Sequence, residues 1–133
     1  MSIGDESRIG DNVRIEVKGG QVSIGRGCLI NDNCVITAWT SVTLCDHTRI
    51  APFCLITDRN HGLNRNALIV EQEGIKEPVV IEEDVWIASS CVVLPGVRIQ
   101  RGAVVGANSV VNRSVLPATI VAGSPANKIG SRR

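Results

Sequence analysis

Apolar side chains recur at every sixth position between residues 81 and 115. Read in sixes, this stretch gives IEEDVW, IASSCV, VLPGVR, IQRGAV, VGANSV and VNRSVL. A branched apolar residue opens each block, and a small or branched residue follows four places later. Alternation at period two would indicate a hairpin meander, and spacings of three and four a helix; neither explains this pattern. A fixed short repeat is typical of a solenoid.

Each six-residue block predicts one short strand followed by a sharp corner. A strand of four or five residues, at about 3.3 Å per residue, makes one flat face, and the opening aliphatic side chain points into the molecule every time. Three faces close a triangular coil of about eighteen residues, and stacked coils pair their strands in parallel around a column of Ile and Val. The pattern therefore predicts an all-β fold, a parallel β-helix.

The same register runs through the N-terminal half of the chain. A first coil contains Ile3, Ile9 and Ile15, with Gly19-Gly20 as an irregular corner. A second coil follows as IGRGCL, INDNCV and ITAWTS, and a third as LCDHTR, IAPFCL and ITDRNH. Residues 81–115 supply the fourth and fifth coils. We therefore predict about five triangular coils.

Two segments break the register. Residues 62–77 are too polar and irregular to form another face, so we predict an extended loop there, and a long loop in a compact fold is more often functional than idle. After Val115, Pro117 and the run Gly123-Ser124-Pro125 interrupt the pattern. We expect a short C-terminal cap at that end, because an open stack of parallel strands exposes unpaired edges.

Composition narrows the class of protein. A chain of 133 residues predicts a single domain over residues 1–133. The net charge of +1 gives no basic footprint for nucleic acid. The chain opens with the polar run SIGDESR and contains no long apolar span, so we expect no signal peptide, no membrane segment and a cytoplasmic location.

The five cysteines require a separate interpretation. Cys28, Cys34, Cys54 and Cys91 occupy the fifth position of their blocks, where a small inward side chain is required, and Cys45 follows Leu44. None belongs to a CxxC pair. We predict that they pack as small free thiols rather than as metal ligands or disulfides.

Several motifs resemble one known family. The hexapeptide blocks, the NHG run, VWIASS, PGVRI, VVGANSVV and AGSPANKI resemble the hexapeptide-repeat acyltransferases, most closely the galactoside, maltose and capsule types of sugar O-acetyltransferase. The resemblance covers roughly residues 24–129. It implies a left-handed parallel β-helix, a homotrimer with active sites between subunits, acetyl-CoA as donor and a sugar hydroxyl as acceptor. The handedness rests on the resemblance alone, because parallel crossovers are generally right-handed.

The chain also departs from the pattern of that family. Many of these enzymes begin with a helical segment that this sequence lacks, so the acceptor contacts made there are not expected here. The glycine usual after VWI is Ala88, and the basic residue often found after the final G-x-P-x is Asn127, with Lys128 beside it. Both changes bear on the details of coenzyme binding.

His61 is the candidate general base. Transfer of an acetyl group to a hydroxyl requires a base for the hydroxyl proton, and an imidazole suits that task near neutral pH. His61 stands where the third coil ends and the loop begins, and with Gly62 it matches the base of the resembling family. A neighbouring aspartate such as Asp58 could orient the imidazole, although aspartate is also common at corners. We interpret His47 as a solvated corner residue.

Two further residues could line the acceptor groove. Asn31 matches an active-site asparagine of the family and could hold the acceptor hydroxyl or the oxyanion; alternatively it makes a corner hydrogen bond. Trp86 either packs against a neighbouring subunit or, as the resemblance implies, shapes the groove for pantetheine and acceptor. Trp39 we expect at a subunit contact.

The coenzyme requires a thin groove and cations for its phosphates. A wall of small residues could accommodate the pantetheine arm, and phosphates attract basic side chains. Any of these basic residues could instead simply face solvent. The candidates are Ala88, Ser89, Ala107, Asn112, Arg113 and Lys128.

Two alternative functions remain open from the sequence, and a third is disfavoured. A zinc carbonic anhydrase of similar fold needs three histidine ligands, and this chain has two, so we expect no metal. A different acceptor, such as serine, an amino-sugar nucleotide or an antibiotic, would use the same fold. A non-catalytic β-helix scaffold would have lost the chemistry, and coenzyme A binding would discriminate it from an enzyme.

Overall fold

The computed structural model describes residues 1–133 and is built from three walls of stacked strands. Wall A comprises β1 (Ser2–Ile3), β4 (Gln21–Ile24), β7 (Ser41–Leu44), β12 (Val79–Ile81) and β15 (Arg98–Ile99). Wall B comprises β2 (Arg8–Ile9), β5 (Leu29–Ile30), β8 (Arg49–Ile50), β13 (Trp86–Ile87), β16 (Val104–Val105), β18 (Thr119–Gly123) and β19 (Ala126–Ser131). Wall C comprises β3 (Arg14–Val17), β6 (Val35–Ala38), β9 (Leu55–Thr57), β14 (Val92–Val93) and β17 (Val110–Val111).

The walls confirm the predicted all-β solenoid of parallel strands. Consecutive strands of the chain lie on walls A, B and C in turn, and each pairs in parallel with the strand one coil away. The five predicted coils are complete, and a sixth begins where Val115 bridges Ile99 and β18 pairs with β16. The predicted count of five coils therefore omits this partial sixth coil, because Pro117 interrupts the six-residue pattern there.

The opening residue of each block forms the core. These side chains stack in register and are at most 4% exposed from the second coil onward; examples are Ile30, Ile50, Ile87 and Val105 on wall B. Full burial of such a side chain stabilises the fold by roughly 1.5–3 kcal/mol. Ile3 and Ile9 of the first coil are 44% and 40% exposed because no coil covers them.

The corners between walls repeat one backbone geometry. Nine non-glycine residues have a positive φ, and they fall at corners: Glu6, Asn12, Asn33, His47, Phe53, Asp84, Ser90, Asn108 and Ala118. From the second coil onward their backbone N–H donates to a carbonyl of the preceding coil, as Asn33 does to Asp11 at 2.9 Å. Asparagine and aspartate tolerate this left-handed conformation, which explains their frequency in the blocks.

The cysteines take the predicted inward positions. Cys28, Cys34, Cys54 and Cys91 are buried, and all five thiols are free. Each buried thiol donates to a corner carbonyl of the next coil; Cys54 Sγ, for example, lies 3.2 Å from the Ala88 oxygen. Hydrogen bonds to the flanking thiols of Cys34 and Cys91, together with burial, raise the pKa of Cys54. Cys54 therefore packs its corner as a neutral thiol.

The extended loop leaves the prism at the corner between walls C and A. It is carried by an antiparallel ribbon of β10 (Arg59–Asn60) and β11 (Ile75–Lys76), with a single 3-10 turn at Ile69–Glu71. The predicted range of 62–77 thus includes β11, whose two residues are too short a signal to detect. No residue from 59 to 78 is buried.

The C-terminal cap is a hairpin. β18 turns back into β19, which pairs with it antiparallel and forms the last strand of wall B. This pairing covers the strand edge that the stack would otherwise expose, as predicted. No helix of the chain has the length and apolar character that crossing a membrane requires.

Candidate active site

His61 lies at the base of the loop, directly after β10, and its side chain is exposed. The pairing of Asn60 with Ile75 holds the preceding residue in the ribbon. Gly62 follows in a tight passage, since a Cβ there would lie 2.6 Å from Gln72 Oε1. The backbone around the imidazole is therefore fixed on both sides, and the imidazole itself faces open space.

Asp58 anchors the corner from which the ribbon departs. Its carboxylate is fully buried and accepts the backbone N–H of Trp39 at 2.8 Å and that of Thr40 at 2.7 Å. Because the oxygens bind these amides, Asp58 holds the corner rather than the imidazole of His61. The suggestion that it orients the base is not supported.

Trp39 lies under the ribbon rather than at a free outer surface. The Arg59 guanidinium carbon stands 4.3 Å from the centre of its ring, and Lys76 Nζ stands 5.4 Å from it. The sequence did not single out Arg59 or Lys76, because their proximity depends on how the loop folds back over the corner.

Asn31 and Trp86 line one groove on wall B. This groove has a volume of about 320 Å³ and is completed by Leu29, Arg49, Ile50 and Ala51. Trp86 is 51% exposed. The Asn31 Oδ1 accepts the N–H of Asp32 at 2.8 Å, so its amide nitrogen is left to bind a ligand. The structure therefore brings the two predicted acceptor residues together.

Arg49 is a member of this groove that sequence reasoning missed. It pairs directly with Trp86 across β8 and β13, and its guanidinium donates to the Gly27 carbonyl at 2.9 Å. The signal was present: both residues immediately precede an inward isoleucine of wall B, so the sixfold register aligns them.

His61 and Asn31 lie on different edges of the prism. Asn31 follows β5 at the edge between walls B and C, whereas His61 stands beyond the edge between walls C and A. The width of wall C separates them, about 15 Å for a five-residue face. One chain alone therefore does not bring both side chains to one hydroxyl group.

The small residues predicted to face pantetheine lie on the same edge as Asn31. Ala88 and Ser89 belong to the fourth coil, and Ala107 lies at the equivalent corner of the fifth. The Ser89 carbonyl accepts the N–H of Asn108 at 2.9 Å, which ties the two corners together. They form an edge of small side chains in the fourth and fifth coils, on the side of the Asn31 groove that faces the cap.

Two of the predicted phosphate-binding residues meet at the cap. Arg113 and Lys128 line a crevice of about 210 Å³ together with Asn127. An Arg113 nitrogen donates to the Asn127 Oδ1. Neither cation belongs to one of the six ion pairs of the chain. Asn112 is exposed and lies outside this crevice.

Two larger grooves follow the edge between walls A and B. One, of about 660 Å³, is lined by Asp46, Glu82 and Glu83 among others, and the second, of about 760 Å³, contains His47. Neither contains a predicted site residue. No three His, Cys, Asp or Glu side chains lie close enough together to hold a metal ion.

Two family descriptions match the chain. "Bacterial transferase hexapeptide (six repeats)" matches residues 78–113, and "Hexapeptide repeat of succinyl-transferase" matches residues 1–38. The two matched segments lie on either side of the third coil and the loop. They therefore describe the prism itself.

Two proteins similar to this chain are named as O-acetyltransferases. WbbJ of Escherichia coli (strain K12), provisionally assigned as a lipopolysaccharide biosynthesis O-acetyl transferase, is 34% identical over 97% of this chain and 70% of its own length. The galactoside O-acetyltransferase of the same strain is 32% identical over 91% of this chain and 62% of its own.

A solved structure agrees in fold. The hexapeptide-repeat acetyltransferase VCA0836 of Vibrio cholerae, complexed with acetyl coenzyme A, has a TM-score of 0.91 and 36% identity, covering 98% of this chain and 70% of that one. The curated relatives that match most of the chain extend well beyond it, since the chain spans between 45% and 70% of the first four.

Proposed function

The chain belongs to the hexapeptide-repeat acetyltransferases, and from that membership we propose that it transfers the acetyl group of acetyl-CoA to a sugar hydroxyl. The names of two relatives support this choice of acceptor: a lipopolysaccharide O-acetyl transferase and a galactoside O-acetyltransferase, both matching over more than 90% of the chain. The acetyl-CoA complex of the Vibrio cholerae protein supports the donor.

The chain offers a surface that suits the coenzyme. The edge of Ala88, Ser89 and Ala107 leaves room for a thin pantetheine arm, since no long side chain projects from these positions. The cations Arg113 and Lys128, which belong to no ion pair, line the crevice at the cap and suit phosphate groups. When bound, acetyl-CoA supplies an activated thioester.

His61 acts as the general base of the reaction. Its imidazole takes the proton of the acceptor hydroxyl as that oxygen attacks, and then gives the proton to the departing thiol. The Asn31 amide nitrogen, which the chain leaves unbonded, holds the hydroxyl or the developing negative charge. The Trp86 ring forms one side of the acceptor groove.

Transfer proceeds directly from coenzyme to acceptor. Three cysteines lie on the inner side of the edge near Asn31 and are at most 3% exposed: Cys34, Cys54 and Cys91. Their thiols donate hydrogen bonds to corner carbonyls. They are out of reach of a thioester, so none of these three cysteines carries the acetyl group.

The complete site lies between two copies in a homotrimer. The outward residues of wall C form an apolar column of Val35, Leu55, Val92 and Val110, and wall B presents a mixed column of Leu29, Arg49, Trp86 and Val104. Wall A instead presents Ser2, Ser23 and Thr43. Packing of wall C against wall B of the next copy closes a ring, which brings His61 of one copy to Asn31 of another.

Thiol release from acetyl-CoA in the presence of a panel of sugars tests the assigned base. We expect His61→Ala to lower the rate by about 100-fold or more, with coenzyme A binding by calorimetry unchanged. His47→Asn, at an outer corner, is the matched control and should retain the rate. Equal rates for His61→Ala and the wild-type protein would reject His61 as base, and absence of coenzyme A binding would favour a scaffold.

A further inference from the structure

Two cations face each other at the base of the loop. Arg59 and Lys76 are directly paired across the antiparallel ribbon of β10 and β11. Like charges at directly opposed positions destabilise a strand pair. None of the six ion pairs of the chain includes either side chain, and the nearby Asp58 carboxylate binds the amides of Trp39 and Thr40 instead. The chain leaves this repulsion without a carboxylate partner.

The indole of Trp39 holds both cations over one surface. Arg59 stands at 4.3 Å and Lys76 at 5.4 Å from the ring centre. Attraction of each cation to the face of the ring offsets part of the repulsion between them. The backbone of Trp39 is in turn fixed by the buried Asp58. The cations are therefore held in position before any ligand arrives.

Arg59 also has unused hydrogen-bond donors. Its Nε is buried without a partner, and its guanidinium donates no hydrogen bond within the chain. Gly74 covers it from the loop side, since a Cβ there would lie 2.6 Å from Nε. A guanidinium fixed between an indole and a glycine backbone, with its terminal nitrogens unbonded, is prepared to bind a planar or tetrahedral anion.

We propose that Arg59 and Lys76 bind the carboxylate or phosphate of an acidic sugar acceptor, one hydroxyl of which faces His61. This inference rests on the proposed function and specifies its substrate class. Arg59 precedes His61 by two residues, so their Cα atoms are at most about 7 Å apart. A single monosaccharide can therefore reach both, and a neutral sugar would leave the cation pair unmatched.

Binding can be measured without acetyl transfer. The chain has two tryptophans, hence two indole N–H signals in a ¹⁵N-correlated NMR spectrum, and a Trp86→Phe spectrum assigns that of Trp39. The wild-type protein is titrated with glucuronate, glucose 6-phosphate and glucose at constant ionic strength. We expect the Trp39 signal to shift saturably with both acidic sugars and to stay unchanged with glucose.

Charge-removing variants identify the responsible residues. Arg59→Gln and Lys76→Gln should each raise the Kd for glucuronate about tenfold or more, whereas Arg65→Gln, which removes an exposed and unpaired arginine of the same loop, should not. A missing saturable shift, equal shifts with glucose, or an unchanged Kd in both ribbon variants would overturn the proposal.

A further experiment tests whether the anion bound by Arg59 belongs to the acceptor or to the coenzyme. Calorimetry with coenzyme A should give the same affinity for Arg59→Gln and the wild-type protein; weaker coenzyme binding in the variant would overturn the assignment to the acceptor. These experiments also distinguish this proposal from the proposed acetyl transfer. If the chain does not transfer acetyl groups, thiol release will be absent, but the Trp39 signal will still shift with an acidic sugar if that sugar binds.

Discussion

At the scale of single residues, the corner between walls B and C shows how the repeat selects its side chains. Five coils place a residue of positive φ there, and three of the five are asparagines: Asn12, Asn33 and Asn108. Phe53 occupies the same position with φ of 63° and is 63% exposed. A bulky side chain in the left-handed region is strained by about 1–2 kcal/mol. Phe53 is thus a residue that the local backbone does not favour.

We expect Phe53→Asn to stabilise the protein by about 1 kcal/mol, because the backbone strain is relieved and an exposed ring loses little buried area. Urea unfolding of both proteins measures the difference. The converse change, Asn33→Phe at the equivalent corner one coil earlier, should destabilise by a similar amount. A loss of stability in Phe53→Asn would mean that the ring has contacts beyond its own chain.

The sequence predicted individual residues well where the repeat dictates them. The inward cysteines and the outward Trp86 follow from their place in a six-residue block. The position of His61 at the start of the loop follows from the point where the register stops, and its role as base stays a prediction that rests on the resemblance. Arg59 and Lys76 could not be found in this way. Their meeting over Trp39 depends on the path of a loop that has no period of its own.

At the scale of elements, ion pairs join one coil to the next. Glu82 follows β12 and accepts the backbone N–H of Arg101 and the Nε of Arg98, both at 2.7 Å. These two hydrogen bonds hold the pKa of Glu82 below its ordinary value of 4.5, and the one from the Arg101 backbone has the larger effect. The carboxylate thus stabilises the stack of the fourth and fifth coils only while it is ionised.

The pH dependence of stability follows from that shift. Because the folded pKa is below the unfolded one, the contribution of Glu82 is complete above pH 4.5 and is lost as pH falls through the folded pKa. We expect the free energy of unfolding to decrease more steeply between about pH 5 and pH 3 for the wild-type protein than for Glu82→Gln. Urea unfolding across this range is the measurement, and parallel curves for the two proteins would contradict the assignment.

We expect the loop to contribute little to the stability of the prism. No residue between 59 and 78 is buried, so its side chains contribute little to the core. Replacing residues 63–73 by Asn-Gly should change the free energy of unfolding by less than about 1 kcal/mol, since shortening a loop alters closure entropy only slightly.

The same replacement should lower acetyl transfer, because it removes Gln72, which packs against Gly62, and with it the support of the His61 backbone. Urea unfolding and thiol release separate the two effects. A collapse of the fold would show that the loop has a structural role. Unchanged transfer would show that His61 needs no support from it.

At the scale of the whole molecule, a repeat of six residues determines three walls, but no pattern within one chain determines how walls of different copies meet. The structure therefore confirms the stacked coils that the sequence predicted, whereas the proposed site is divided in the single chain. Asn31 and His61 lie on opposite sides of wall C, about 15 Å apart. In the proposed homotrimer, the apolar outer column of wall C packs against wall B, where Arg49 lies between Leu29 and Trp86, and closes this distance between copies.

Complementation between two inactive variants tests this account most directly. His61→Ala and Asn31→Ala are each unfolded and refolded, separately and as an equimolar mixture, and thiol release from acetyl-CoA with a sugar acceptor is measured. If each site takes His61 from one copy and Asn31 from the next, the mixture should regain about a quarter of the wild-type activity, since three quarters of the trimers are mixed and each has one intact site of three. A mixture no more active than the separate variants would contradict a site shared between copies.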